Sequence, residues 1–192
     1  GETTGDVGLE MAYGLWFDEI LSGVLQAAAF PANPVSSASD EMLNDKTRTF
    51  FGFEKKLEAE SGFQYTRFQD CQFASLSLDV QANALMSMSA SVVGLNSSND
   101  TAIISGATYA AVDLEDQMDT NSALLEFKDS SDSPIDVTAQ SFSLALDNQM
   151  RAQQAVGAFY NAGNASGRFK CTMSASVYFR NQDLYNKFIN NE

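Results

Sequence analysis

The sequence predicts a mainly β protein of the α+β class, with a single flanking helix. Phenylalanine and tyrosine are frequent, with 14 and 6 copies in 192 residues, and aromatic residues favour strands. Apolar and polar residues alternate along several segments, which is the period of a half-buried strand. Only one stretch, about residues 15–29, has the spacing of an amphipathic helix. A chain of this length is most simply one domain, residues 1–192.

The first third of the chain predicts a strand, a helix and an aromatic hairpin. Residues 7–11 alternate between apolar and small or acidic side chains, which indicates a strand. Residues 15–29 place their apolar side chains on one stripe, and Pro31 and Pro34 are expected to end that helix. Residues 47–57 and 63–68 predict two paired strands, joined by a glycine-containing turn.

A pair of strand-forming segments is then duplicated in the sequence. The first pair covers residues 73–93 and the second covers residues 141–179. The five residues Met88–Val92 recur unchanged as Met173–Val177. Because side chains alternate between the two faces of a strand, each of these four strands has one apolar side and one polar side made mainly of serine. A face of small, hydrated hydroxyls suggests a surface that is meant to be smooth.

The connection inside the second pair is longer than that inside the first. The added residues, 149–168, form an insertion loop that ends in an Asn- and Gly-rich segment. A long hairpin loop on a rigid sheet is often functional, although an ordinary variable loop would look the same. Between the two pairs, residues 96–100 break the alternation and residues 103–112 predict a further strand. Asn181 is a good N-cap for a short final helix.

Charge and composition argue against most binding and catalytic classes. The chain has 25 acidic and 11 basic residues, a net charge of −14, whereas static nucleic-acid binding requires cations. This acidity suits solubility alone, or a surface that nucleic acid passes without adhering. Histidine, the commonest general base and metal ligand, is absent from the sequence. With no phosphate-binding glycine loop or serine-triad motif either, we expect neither an enzyme nor a cofactor.

The two cysteines and the longest apolar runs give two further expectations. Cys71 and Cys171 form no CxxC pattern, and we expect both to be buried free thiols. No stretch approaches the roughly 20 apolar residues of a membrane helix, so no membrane association is expected.

Motifs that carry a family resemblance follow one another along nearly the whole chain. In order, they are residues 5–10 (GDVGLE), 13–14, 18–21, 53–56 (FEKK), 63–65, 71–78 (CQFASLSL), 141–148 (SFSLALDN), 167–169, 177–180 (VYFR) and 184–188. In this series the chain resembles the major tail tube proteins of long-tailed, siphovirus-type bacteriophages. In place of a glycine that the resemblance leads us to expect, this chain has Asp70 and Cys71.

The resemblance implies a tail-tube-type β-sandwich whose subunits form hexameric rings that stack into a tube. Each subunit would contribute four strands, the duplicated ones, to a hexameric inner β-barrel. Their polar side chains would line the lumen: Ser75, Ser77, Asp79, Ser87, Ser89, Ser91, Ser141, Ser143, Asp147, Thr172, Ser174 and Ser176. Only Lys170 interrupts this face, and the apolar sides would pack into the sandwich core.

The resemblance also implies a place in the virion and a set of partners. The protein would be assembled in the host cytoplasm into the phage tail, with contacts to the tape measure protein and to the tail terminator and tip proteins. Double-stranded DNA would pass through transiently without specific binding. In the insertion loop, we expect Phe159 or Tyr160 to pack on an adjacent ring or subunit, since apolar anchors in a polar loop are typical of interfaces.

Two other classes stay open on the sequence alone. An adhesin-like or carbohydrate-binding β-sandwich would use Tyr109, Tyr160 or Tyr178 as a platform for sugars. A carboxylate-based hydrolase would need two acids converging in a pocket, and no such pair stands out. Particle size separates the first class from a tail tube, because electron microscopy would show small particles rather than rings or tubes.

Overall fold

The computed structural model of the chain is mainly β, with one helix, as predicted. In chain order the elements are β1 (Thr3–Glu10), α1 (Leu15–Leu25), β2 (Phe51–Ala59), β3 (Gly62–Gln81), β4 (Ser87–Gly94), β5 (Asn96–Asp100), β6 (Phe127–Lys128), β7 (Pro134–Ile135), β8 (Thr138–Asp147), β9 (Arg151–Gln153), β10 (Gly163–Ala165) and β11 (Lys170–Tyr178). The structure describes residues 3–12, 15–27, 42–109, 117–121, 127–128, 134–135, 138–178, 182, 185–186 and 189.

The main sheet is antiparallel, with the strand order β1-β4-β3-β8-β11. The four serine-rich strands predicted from the duplication are therefore direct neighbours, in the order β4-β3-β8-β11. Their register sets apolar side chains on one face, since Leu76 lies opposite both Ala90 and Leu146. Strict alternation fixes this register, because a slip of one residue would turn every apolar side chain toward water.

Strand β3 is longer than predicted. The strands expected at 63–68 and 73–80 are one continuous strand of 20 residues. Asp70 marks the joint with a φ of 51°, a left-handed conformation that glycine adopts without strain. The part of β3 before Asp70 pairs with β5 and with most of β2, whose Phe51 reaches Cys71; the part after it pairs with β4 and β8. The expected break at residues 96–100 was wrong, because this polar segment is strand β5.

Helix α1 and the phenylalanines of β2 and β3 cover the apolar face of the sheet. Val24 of the helix is fully buried, and the Phe51 and Phe73 rings meet edge to face with centroids 4.9 Å apart. Gly23 permits this approach, since a Cβ there would lie 2.8 Å from the Phe51 ring and 2.9 Å from the Phe73 ring. The helix is thus held by burial of its apolar stripe, as its spacing predicted.

The helix ends earlier than predicted. It stops at Leu25, and Gln26 takes a left-handed φ of 52°. The N–H of Ala27 then donates to the Ser22 carbonyl at 3.0 Å, and that of Gln26 donates to the Gly23 carbonyl at 3.4 Å. These two bonds form a Schellman motif, which ends a helix without proline. Pro31 and Pro34 lie outside the described residues.

Three further sequence predictions concern a strand over residues 103–112, the final helix and membrane-spanning helices. Residues 101–109 form turns and irregular backbone, so a strand over 103–112 was wrong for the part that is described. Asn181, the expected N-cap of a final helix, lies outside the described residues. Among the described residues, no helix is both long and apolar enough to span a membrane.

Candidate functional site

The polar face of the main sheet brings together all twelve side chains that were predicted to share a surface. Residues directly opposite in antiparallel strands point to the same side, so each transverse row of the sheet shares a face. In order across β4, β3, β8 and β11, the rows are Ser91, Ser75, Asp147, Lys170; then Ser89, Ser77, Ala145, Thr172; then Ser87, Asp79, Ser143, Ser174; and, from β3 on, Gln81, Ser141, Ser176.

Strand β1 extends this face, which the sequence reasoning did not foresee. Asp6 lies opposite Ser91, Gly8 opposite Ser89, and Glu10 opposite Ser87. Two more carboxylates therefore join Asp79 and Asp147 in the plane of the serines. The alternation within residues 7–11 indicated on which side of β1 Glu10 lies. Only the pairing of β1 with β4 shows that this side continues the serine surface.

The polar face is hydrated and acidic. Ser87, Ser89, Thr172, Ser174 and Ser176 are exposed. The Ser77 hydroxyl donates to the backbone carbonyl of Ser89 at 3.4 Å. At the margins, the Gln117 amide donates to the Glu10 carboxylate at 2.8 Å, and the Gln149 N–H donates to that of Asp147 at 2.7 Å. In the described part of the chain, no three acidic or cysteine side chains converge as metal ligands would.

The opposite, apolar face is covered on the central strands and open on β11. Leu76, Met88 and Ala90 are at most 2% exposed, whereas Met173 is 64% exposed. Cys71 is buried, as expected. Its burial is the main reason that the pKa of its thiol is raised, and the negative charge of Asp70 adds to the effect. The expectation for Cys171 was wrong: it is exposed, because no described residue packs over this edge of the sheet.

The insertion loop has an anchored base and an exposed tip. Strands β9 and β10 form a short hairpin, and the Asn161 and Asn164 amides donate to the carbonyls of Gly94 and Val93, each at 3.2 Å. Both asparagines are buried at the end of β4. The base of the loop is therefore anchored on the core of the chain, which the sequence reasoning missed.

The tip carries the two aromatic residues predicted to make contacts. Phe159 is 80% exposed and Tyr160 is 44% exposed, and their rings meet edge to face with centroids 5.3 Å apart. Gly157 turns the tip with a φ of 84°. The structure places both residues on the surface of the chain, and their expected contact with a neighbouring ring stays a prediction.

An ion-pair cluster built on Arg67 holds the loop at residues 101–109. The guanidinium donates to Glu54 at 2.7 Å, to Asp100 at 2.9 Å and to the Ala102 carbonyl, while the Tyr109 hydroxyl donates to Glu54. The hydrogen bond from Arg67 is the main reason that the pKa of Glu54 lies below its usual range. The hydrogen bond between the Tyr109 hydroxyl and Glu54 is the main reason that the pKa of Tyr109 is raised.

The three tyrosines proposed as a sugar platform do not share one hollow. Tyr109 belongs to the Arg67 cluster. Tyr160 lines a hollow within the insertion tip, together with Gln154 and Phe159. Tyr178 lines a different hollow with Gln81 and Gln140, at the end of β11. The geometry thus gives the adhesin alternative no support.

The fold and this face define a β-rich structural protein whose distinguishing surface is a broad band of hydroxyls and carboxylates. Residues 1–192 match the family model described as phage tail tube protein, and the chain belongs to that family. It is therefore a structural component of a phage tail. No curated protein matches the sequence.

Proposed function

We propose that the chain assembles into hexameric rings that stack into the tail tube, with the polar face of β4-β3-β8-β11 turned to the lumen. The observation that supports this most strongly is the single sheet in which all four serine-faced strands are neighbours, with twelve predicted residues on one side. Six copies of four strands give about 24 strands, and barrels of 16–18 strands already leave an aqueous channel.

The chemistry of the face suits the passage of duplex DNA. Phosphates bind where lysine or arginine neutralises them, and such binding adds affinity at each contact. On the described face, Lys170 stands among four carboxylates and a field of hydroxyls. A wall of this kind repels the duplex weakly and gives it no place to adhere. We propose DNA as a transient occupant of the lumen, without specific binding.

The partners proposed here are those that membership of the tail tube family implies. They are the tape measure protein and the tail terminator and tip proteins. Assembly would take place in the host cytoplasm. The exposed insertion tip supplies an apolar surface for contact between rings.

Electron microscopy tests the assembly directly. Purified protein at increasing concentration, or with tail tips as nuclei, should give rings or tubes in negative stain. A chain that stays strictly monomeric at high concentration, together with virion tails that lack it, would exclude the proposal. Uniform small particles that bind oligosaccharides would favour the adhesin alternative.

A lysine belt tests the role of the polar face. Ser89→Lys with Ser174→Lys adds about twelve positive charges to each ring of six, all within reach of the duplex. Tubes should still form, since both side chains point into water, but single-virion DNA ejection should slow, most strongly at low salt. Each new phosphate contact steepens the dependence of affinity on log salt by about 0.9.

A second variant controls for charge alone. Ser61→Lys with Ser98→Lys makes the same change in net charge at exposed positions on the β2–β3 turn and on β5, away from the polar face. Its ejection rate should match the wild type at all salt concentrations. Equal ejection rates for the two lysine pairs, in tubes of normal appearance, would show that the polar face does not line the path of DNA.

A further inference from the structure

Two strands that share the five-residue sequence MSASV occupy unequal positions in the sheet. Met88–Val92 of β4 lies between β1 and β3, whereas Met173–Val177 of β11 pairs with β8 alone within the described chain. A strand with one unpaired edge presents free N–H and C=O groups to any strand that fits it. The duplication therefore gives β4 and β11 similar outer edges. Strand β1 covers the edge of β4.

The apolar side of β11 is also uncovered. Met173 is 64% exposed and Val177 is 40% exposed, whereas their counterparts on β4, Met88 and Val92, are 2% and 8% exposed. A strand that lacks both an edge partner and a cover for its apolar side is a surface that favours association.

Strand β1 pairs with β4 along its whole length but leaves part of the core beside it uncovered. Gly5 lies opposite Val92 on the apolar side and contributes no side chain there. A cleft of about 240 Å³ remains between β1 and the core, lined by Thr3, Val7, Phe53, Phe68, Cys71 and Val92 among others. A cavity of about 150 Å³ already holds a benzene ring, so this cleft has room for a side chain. Within residues 3–12, Met11 is buried and Val7 is partly buried against the core, and the Met11 N–H donates to the Met86 carbonyl at 2.8 Å.

Strand direction decides which edges can meet in an all-antiparallel ring. Strands β1, β3 and β11 run one way, and β4 and β8 run the other. If β1 stays on β4, then β11 meets the β1 of the next copy in a parallel pair. If β1 leaves, β11 meets β4 in an antiparallel pair like every other pair in the sheet. Antiparallel pairing is the more stable per residue.

We propose that β1 is an exchangeable edge strand: it caps β4 in the single chain and is displaced when β11 of a second copy pairs with β4. The inference rests on the proposed ring. The register that sets apolar residues on apolar residues places Ala175 of the second copy opposite Ala90. Met173 of the second copy then lies opposite Val92, in the position that Gly5 leaves. Met11 is the pivot about which residues 3–10 move.

A reversible lock tests the exchange. Gly8 and Ser89 are cross-strand neighbours, and a Cβ built at Gly8 meets nothing within 4 Å. Opposite residues have Cβ atoms about 4.5–5.5 Å apart, close to disulfide reach. In a Cys171→Ser parent that forms tubes, Gly8→Cys with Ser89→Cys should give no rings or tubes when oxidised. Addition of a reductant should restore them to the parental yield.

The matched control crosslinks a pair that the exchange leaves together. Ser77 and Ser89 are opposite on the same polar face, in β3 and β4. Ser77→Cys with Ser89→Cys should assemble equally well oxidised and reduced. A reporter pair, Ser89→Cys with Ser176→Cys, should give a ladder of disulfide-linked copies in assembled tubes, because the proposed register sets these two positions opposite each other.

The outcomes separate this inference from the proposed function. If the oxidised lock assembles as well as the control, β1 stays on β4 and the exchange is wrong, although the ring stands. Crosslinking of Gly8→Cys to Ser176→Cys in assembled tubes would overturn it in the same way. If the parent forms neither rings nor tubes under any condition, the proposed function and the exchange both fail.

Discussion

The exposed tip of the insertion loop gives the sharpest test of contact between rings. Phe159 is 80% exposed, and Val156 beside it is fully exposed. Phe159→Ala removes the larger anchor without touching Asn161 and Asn164, which hold the base of the loop on β4. We expect the substitution to weaken tube growth and to leave the fold of the single chain unchanged.

The size of the effect follows from burial. Burying a phenylalanine side chain contributes about 1.5–3 kcal/mol, and about 1.4 kcal/mol corresponds to a tenfold change in an equilibrium constant. The critical concentration for adding a subunit to a tube should therefore rise about 10- to 100-fold. Sedimentation of polymer from free protein over a concentration series measures it, and electron microscopy gives the tube lengths.

A control variant separates the anchor from the loop. Gln154→Ala, an exposed polar change at the tip, should leave the critical concentration unchanged, and both variants should unfold like the wild type. If Phe159→Ala polymerises at the wild-type concentration into tubes of normal length, Phe159 makes no contact between rings. Deletion of residues 152–165 is a poorer test. It would also remove Asn161 and leave the Gly94 carbonyl without its partner.

Two further predictions concern the joints of the subunit. Asn148→Ala removes a buried amide that donates to a carbonyl of the last helical turn at 2.6 Å, and should cost about 1–3 kcal/mol in thermal unfolding; Asn44→Ala removes an exposed amide at the same helix end and should cost less than half as much. The pKa of Glu54 is lowered beside Arg67, so the ionised carboxylate stabilises the folded chain. That stabilisation is complete above the ordinary carboxyl pKa and is lost as the pH falls through the lowered pKa. The protection factors of residues 101–109, which are their hydrogen-exchange rates corrected for the intrinsic rate at each pH, should therefore fall on acidification below about pH 4, and Glu54→Gln should flatten that dependence; an equal pH profile for the variant would show that another group controls the loop.

The sequence predicted the strand faces well because alternation is a local property. Each duplicated strand carries its own polar and apolar sides, so the face of Ser77 or Ser174 did not depend on knowing its neighbours. The helix was predicted on the same grounds, but its end was not. Gln26 adopts the left-handed conformation of a Schellman motif, and glutamine gives no sequence signal for a helix end comparable to glycine or proline. The helix was therefore predicted to continue to Pro31, whereas it ends at Leu25.

The errors lie where pairing partners decide the outcome. Residues 96–100 are polar and read as a break, yet they form β5 because the first half of β3 offers them an edge. Asp6 joined the serine face only through the register of β1 on β4. Cys171 has the same alternation as a buried residue, and its exposure reflects what covers β11 rather than its own strand. Alternation gives the side of a sheet on which a residue lies, but not whether that side is covered.

The outer edges of β4 and β11 are similar in sequence, but only the edge of β4 is covered, by β1. This difference helps to explain how such a chain would form a ring. If β11 paired with β11 of a second copy, the contact would be isologous and would stop at a dimer. Pairing β11 with β4 is heterologous: it leaves one free β11 and one free β4 at the ends of the growing assembly, and closes only when the rotation completes a circle. A removable cap on β4 acts on this step, because each addition must displace one β1. The duplicated strand supplies two compatible edges, and β1 makes them differ until a second copy arrives.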